Sequence, residues 1–468
     1  MTGAEPAHRG LSPGAGDAAG PPDAEPPAAD PGSIGQRPAN LRPAGGRPPG
    51  RRVTNRKAQL TDLAAELFRR HGYHQVGVQE IAAAAGLTGP AVYRHFRSKQ
   101  EILAEVLLAG VDAFGSAVDA ALPAPGPTPA APPQVPPQVR LRALTAELAR
   151  LSVERRDTTA LWRWQRQHLA PADQAAVVQR AGAVMDRWIG ELRLARPELG
   201  PPDAELLCWA AMSVFGSVAV HHTSPPQERF APMLAAMADA VLASPVVPAN
   251  PVVPAPPDAG AATAEAAPDD PAAAPSRREA VLAGATRLFR QHGYHAVSMD
   301  DIGAAVGIAG PSVYRHYASK ADLLCAACTR MADRLLAEAG LALATASGPV
   351  DALDRLVRSY AGTALAHRDL LSVYSADAPS LPEQHRAELV RLQRAYVQRW
   401  VDTARAASPG LPAAEARTAV HAGLTIVNDL VRTHRLATRP RLADELAALV
   451  TAALSAAGVG TPPAQGTC

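Results

Sequence analysis

The sequence predicts an all-α protein built as two tandem copies of one unit, and three observations carry that prediction. Alanine supplies much of an apolar fraction of 47%, while aromatic residues make up only 4% of the 468 residues, and alanine is the strongest helix former. No stretch alternates apolar and polar residues with the β-branched enrichment of a strand. Third, the residues GPAVYRHFRSK at Gly89–Lys99 return as GPSVYRHYASK at Gly310–Lys320.

The repeat has a definite register. Phe68 aligns with Phe289, an offset of 221, and the match runs without a gap from Leu67 to Leu103, with 21 of 37 positions identical. Further on the offset becomes 212, pairing Arg155–Asp157 with His367–Asp369 and Asp186–Trp188 with Gln398–Trp400. The first copy therefore holds nine extra residues, and the Pro-rich stretch at 123–137 is where they fit. Composition places the remaining boundaries. Residues 1–50 read as a disordered Pro/Gly/Ala-rich tail, 51–105 as a first helix-turn-helix domain and 106–244 as a first helical domain. A Pro/Ala-rich linker follows at 245–275, then a second helix-turn-helix domain at 276–326 and a second helical domain at 327–458.

Within the first copy, Leu60, Leu63, Ala64, Leu67 and Phe68 form one apolar stripe of a helix. Arg69, Arg70 and His71 suit its last turn, Gly72 stops it, and Tyr73 can pack back on the stripe. A second helix covers VQEIAAAAG and ends at Gly86. A third starts at Thr88, a good cap, with Pro90 in its first turn. The second copy has Ala309 for that cap, a loss of about 1 kcal/mol. Helix, short turn, helix is the arrangement whose second helix lies in a major groove. A fourth helix begins with a capping box, Ser98 with Glu101, repeated as Ser319 with Asp322. Only three lysines occur, and two of them, Lys99 and Lys320, occupy this one helix start, against the helix dipole. An anion such as a DNA phosphate would account for that placement. The segments before each copy are basic (Arg51, Arg52 and Arg56; Arg277 and Arg278) and read as flexible arms along phosphates or a minor groove.

The stretch GLTGPAVYRHFRSKQEIL and its echo resemble the signature of the TetR family of bacterial transcriptional regulators. The resemblance implies two tandem TetR-like units, each a three-helix helix-turn-helix DNA-binding domain plus a helical ligand-binding and dimerisation domain. It further implies that Tyr93, His95 and Lys99, with Tyr314, His316 and Lys320, touch phosphates of a double-stranded operator. Thr88, Gly89 and Ala91, and Gly310 and Ser312, would approach base edges. Pro90, Arg94, Pro311 and Arg315 belong to the same two segments and complete the candidate DNA-binding set. Within the family, the arrangement is similar to the tandem form that represses mammalian-cell-entry operons in mycobacteria.

In such a family the last two helices of each unit pair into a four-helix bundle. Here those are about Asp203–Val220 with Arg229–Ala243, and Ala413–Val431 with Pro440–Ala457. With two copies in one chain the bundle can close internally, since a thirty-residue linker spans roughly 30 Å. The expectation is an internal pseudo-dimer, as monomer or homodimer, gripping half-sites roughly 34–36 Å apart that need not be alike. Trp162, Trp164 and His168, and Tyr374, lie where family members line a pocket, although core packing explains each as well. HRDLLSVY resembles members that respond to lipids or acyl-CoA thioesters, which suggests a small apolar effector.

Other chemistries are set aside. The net charge of +2 makes any basic footprint local. Cys325 and Cys328 lie on the fourth helix of the second copy with no second pair, and read as buried apolar residues. His71 with His74, and His292 with His295, are separated by helix-stopping glycines, so no metal is expected. No phosphate loop, nucleophile elbow or carboxylate pair points to an enzyme or a cofactor. No apolar run approaches the roughly 20 residues of a membrane span, and no secretory signal begins the chain, so a cytoplasmic protein is expected.

Overall fold

The structure is a computed structural model that describes residues 50–73, 75–122, 135–156, 169–221, 223, 225–246, 276–433, 435–436 and 438–460, with side chains from 56 onward. The described residues form helices and no strand. In the first copy these are α1 (Gly50–His71), α2 (Val78–Ala84), α3 (Gly89–Val92), α4 (Lys99–Ala121), α5 (Pro137–Glu154), α6 (Pro171–Ala195), α7 (Pro201–Gly216) and α8 (Gln227–Ala243). The second copy has α9 (Arg277–His292), α10 (Met299–Ala305), α11 (Gly310–Val313), α12 (Lys320–Ala344), α13 (Pro349–Ala366), α14 (Arg368–Ala376), α15 (Glu383–Ala407), α16 (Ala413–Arg432) and α17 (Leu442–Ala456).

The helix boundaries reproduce the repeat register. α2 and α3 map onto α10 and α11 at an offset of 221, and α5 and α6 onto α13 and α15 at 212, end for end. Two glycines per reader make this possible: Gly72 and Gly293 stop the first helix at φ 81°, and Gly86 and Gly307 close the turn at φ 65° and 68°.

Two expectations about the segments before each copy are corrected. The chain is helical from Gly50, so Arg56 sits on α1 rather than on a flexible arm, and its guanidinium bonds Gln59 at 2.9 Å. Arg51 and Arg52 lie on the same helix, with side chains outside the described residues. In the second copy Ser276 caps α9 by accepting from Glu279 N–H, so Arg277 and Arg278 are its first helical residues.

Each reader has its own small core, around Phe68, Ile81, Val92 and Phe96 in the first and Phe289, Ile302, Val313 and Tyr317 in the second. The rest shares one core that runs through both copies. At its centre α7 and α8 pack on each other and on α16 and α17, a four-helix bundle closed within one chain. Phe215, Val218, Ile426 and Val427 are buried there. Two ion pairs clamp the seam between copies, Arg439 to Asp203 at 2.6 Å and Arg229 to Glu415 at 2.8 Å. Asp203 and Glu415 are equivalent under the 212 offset, whereas their arginines are not, since Arg229 aligns with Arg441. His221 stacks on His421 across the seam with ring centroids 4.7 Å apart.

Candidate nucleic-acid interface

The two readers present the same backbone frame. α3 and α11 are single four-residue turns with Pro90 and Pro311 inside them, ending at Tyr93 and Tyr314. Leu87 N–H reaches Ala82 O at 2.8 Å, and Ile308 N–H reaches Gly303 O at 2.9 Å. Val92 and Val313 point inward and anchor the helix. Gly89 and Gly310 are buried as well, beside Gln79 and Asp300 of the preceding helix, where a Cβ would collide. Tyr93 and Tyr314 are each 55% exposed, an unusual state for a tyrosine beside a core. Arg94 and Arg315 are exposed next to them, with His95 and His316 half-buried. Each reader thus gathers one Tyr, one Arg and one His on a single short turn.

Lys99 and Lys320 have internal partners that their position in the sequence did not suggest. Lys99 Nζ donates to Tyr73 O at 2.8 Å and Val76 O at 3.0 Å, and lies 4.3 Å from the centroid of the Tyr73 ring. Lys320 Nζ does the same with Tyr294 O at 2.9 Å and Val297 O at 2.8 Å, 4.5 Å from the Tyr294 ring. Burial lowers both ammonium pKa values from the usual lysine range. Each lysine ties the start of the fourth helix to the loop that leads into the second. Tyr73 and Tyr294 in turn meet Phe68 and Phe289 edge-on at 5.3 Å. The tie fixes the angle at which the recognition turn is offered.

A second tie was not legible in the sequence. Lys57 lies 5.5 Å from the Phe96 ring centroid, and its equivalent Arg278 lies 4.1 Å from the Tyr317 ring and donates to His316 O. The basic residue read as part of an arm therefore holds the recognition turn from behind. The only available signal was the 221 offset, which aligns Lys57 with Arg278 and Phe96 with Tyr317.

The cap at Thr88 also differs from expectation. Neither Thr88 nor Ala309 makes a side-chain cap bond, so the two copies do not differ in capping there. The fourth helices are capped as expected, Ser98 Oγ accepting from Glu101 N–H and Ser319 Oγ from Asp322 N–H, each at 3.1 Å. Glu101 reaches back to Arg97 N–H rather than to the cap residue.

Of the expected pocket residues, Trp162, Trp164 and His168 lie outside the described residues. Tyr374 packs where the second reader's core meets the shared core, and burial raises its phenol above the usual range. Cys328 is buried, its thiol pushed up to about 12, and Cys325 is half-buried; both are free thiols. Among the described residues no cluster of His, Cys, Asp and Glu could hold a metal ion. Nor is any helix there long and apolar enough to cross a membrane.

Two helix-turn-helix readers on one helical body define a tandem regulator. The family model for bacterial regulatory proteins of the tetR family matches residues 60–106 and 281–327, and a tetracyclin repressor-like C-terminal domain matches residues 346–434. The chain belongs to the TetR family, in tandem duplicated form, a family of regulators rather than enzymes. It is 44% identical over 63 residues to the HTH-type transcriptional activator FasR of Mycolicibacterium smegmatis, covering 14% of this chain and 29% of that protein. It is 28% identical over 138 residues to the repressor KstR2 of the same organism, covering 29% of this chain and 67% of that one. Most of the curated relatives are matched over about 30% of their length. Among solved structures, the TetR-family regulator PfmR of Thermus thermophilus is 24% identical, with a TM-score of 0.34, over 39% of this chain and 97% of that one.

Proposed function

We propose that the protein is a DNA-binding transcriptional regulator whose two readers, residues 51–105 and 276–326, together occupy one operator. The observation that carries this reading is the bundle of α7, α8, α16 and α17, closed inside one chain with a reader on each copy. A surface that would otherwise recruit a second chain is already buried, so a single chain has both hands. The exposed Tyr93 and Arg94 with half-buried His95, and likewise Tyr314 and Arg315 with His316, are the groups for the DNA backbone, and the first residues of α3 and α11 face the bases. Lys99 and Lys320 act as positioning residues for those turns.

Regulation follows from the core that both copies share. We assign repression, relieved by a small apolar effector of lipid or acyl-CoA type that binds the helical domains at 106–244 or 327–458. Such an effector acts only through different affinity for the bound and free states. The test is a footprint of the purified chain on the DNA upstream of its own gene, with the mass of the complex on the protected fragment. One chain over two half-sites is the expected result. Two chains over a palindrome would mean that one reader per chain is idle, which overturns the paired reading.

A further inference from the structure

The readers share a frame, and within it one hydroxyl group changes place. The first reader begins its recognition turn Thr88-Gly89-Pro90-Ala91, and the second Ala309-Gly310-Pro311-Ser312. Threonine stands at the cap where the second reader has alanine, and alanine stands three residues later where the second has serine. Neither hydroxyl serves the fold: Thr88 makes no cap bond although it occupies the cap position, and the Ser312 hydroxyl bonds no group among the described residues. Thr88 is exposed and Ser312 half-buried. The frame around them is common to both, with Ala91 N–H on Thr88 O at 2.9 Å and Ser312 N–H on Ala309 O at 2.8 Å.

We infer that this transposed hydroxyl is what makes the two readers select different half-sites, Thr88 setting the first and Ser312 the second. The inference rests on the operator-binding reading above. Residues at the N-terminal end of a recognition helix face base edges, and a Ser or Thr hydroxyl pairs with donors or acceptors there. Three residues along a helix amount to about 4.5 Å, against about 3.4 Å per base step. The hydroxyl therefore addresses a base pair about one step away in the second half-site. In each reader the alanine that takes the vacated place offers only a methyl group, which suits a thymine methyl. Two further differences lie beside the recognition turn, Gln79 against Asp300 on the preceding helix and Arg97 against Ala318 after it, and the variants below leave both unchanged.

The experiment is selection of bound duplexes from a random pool by the full chain and by two reciprocal variants. Wild type should enrich two unlike half-sites at fixed spacing. Thr88→Ala/Ala91→Ser should enrich an inverted repeat of the second half-site, and Ala309→Thr/Ser312→Ala an inverted repeat of the first. Each variant should bind the wild-type operator roughly tenfold more weakly. All four positions are exposed or half-buried, and unchanged melting curves would show that both variants fold. If wild type enriches a motif and both variants enrich that same motif, the hydroxyls do not set the half-sites and the inference falls alone. A wild-type palindrome overturns it as well. If wild type enriches nothing, the operator-binding reading fails first and takes the inference with it.

Discussion

In the second helical domain Trp400 meets Tyr360 and Tyr396, and Tyr360 meets Asn428; the positions 212 residues earlier in the first hold Trp188, Leu148, Val184 and Gly216. Trp188 stacks near Phe215, with centroids 6.2 Å apart, whereas Trp400 meets Tyr360 edge-on at 5.9 Å. Tyr360 Oη donates to Asn428 Oδ1 at 2.7 Å, a polar pair with no counterpart in the first copy. The first copy has its own insertion, a buried pair in which Arg140 meets Glu191 at 2.5 Å; the second has Ala352 and Thr403 there. The readers show nothing comparable. Their lysine ties, the serine caps of their fourth helices and their recognition turns recur in both, although Ser298 caps α10 where Gly77 leaves α2 without a side-chain cap. A core tolerates exchange so long as volume is kept and each polar group finds a partner. A reader must keep one backbone frame, because a groove of fixed shape is its counterpart. The copies have therefore diverged where only packing constrains them.

The largest test of that contrast lies in the Arg140–Glu191 pair. Both side chains are buried, and Arg140 also donates to Val135 O. Glu191→Thr alone leaves a buried guanidinium without its carboxylate and should cost about 3–5 kcal/mol in guanidinium unfolding. Adding Arg140→Ala, which makes the site resemble the second copy, should recover most of the loss. If the double variant is no better than the single one, the pair is woven into the packing rather than an exchangeable insertion.

Asp377 separates the copies by pH. It is 4% exposed, and burial pushes its carboxyl up to about 6, opposed by the Tyr294 N–H that it accepts and by nearby Arg432. An unfolded chain titrates aspartate near 3.9. The folded state thus binds this proton more tightly than the unfolded state, so its contribution to stability is greatest at low pH. That contribution falls as pH rises from about 4 through about 6, by roughly 2–3 kcal/mol. The sequence has Gln165 at the equivalent position of the first copy, outside the described residues, so the dependence belongs to the second copy. Asp377→Asn should remove it, visible as a flatter plot of Tm against pH between 4.5 and 7. An unchanged slope would place the titration elsewhere.

The lysine ties should behave alike in both readers. Lys99→Ala and Lys320→Ala each remove at least two hydrogen bonds to carbonyls and should each cost about 1–3 kcal/mol. Melting without DNA checks this directly. A lysine that served a phosphate alone would leave the free protein's Tm unchanged.

Much of this fold was written in local chemistry. The glycine stops, the serine caps, the stripe ending at Phe68 and the register of the repeat each follow from one or a few neighbouring residues. The candidate reader residues came from the same short stretch. What lay hidden depends on partners far apart in sequence. Lys99 looked misplaced at a helix start because its acceptors, Tyr73 O and Val76 O, are more than twenty residues earlier. Arg278 read as part of a basic arm because the Tyr317 ring that it covers comes one helix-turn-helix later. Arg140 and Glu191, and the clamps of Arg439 and Arg229, meet only once helices from distant parts of the chain are packed.

The smallest expected effect concerns the cap, where residue type alone misled. Threonine at an N-cap ordinarily contributes about 1 kcal/mol through its side-chain bond, and loses that when replaced by alanine. Thr88 makes no such bond, whereas Ser98 and Ser319 each accept from a backbone N–H at 3.1 Å. Ser98→Ala and Ser319→Ala should therefore each cost about 1 kcal/mol, while Thr88→Ala should leave the melting curve of the free protein where it was. The pair of results would separate two uses of the same chemistry, a hydroxyl turned inward to hold a helix and a hydroxyl left outward for a ligand. A Thr88→Ala loss as large as that at Ser98 would mean that the cap bond forms in solution, and that the first reader is the more tightly wound of the two.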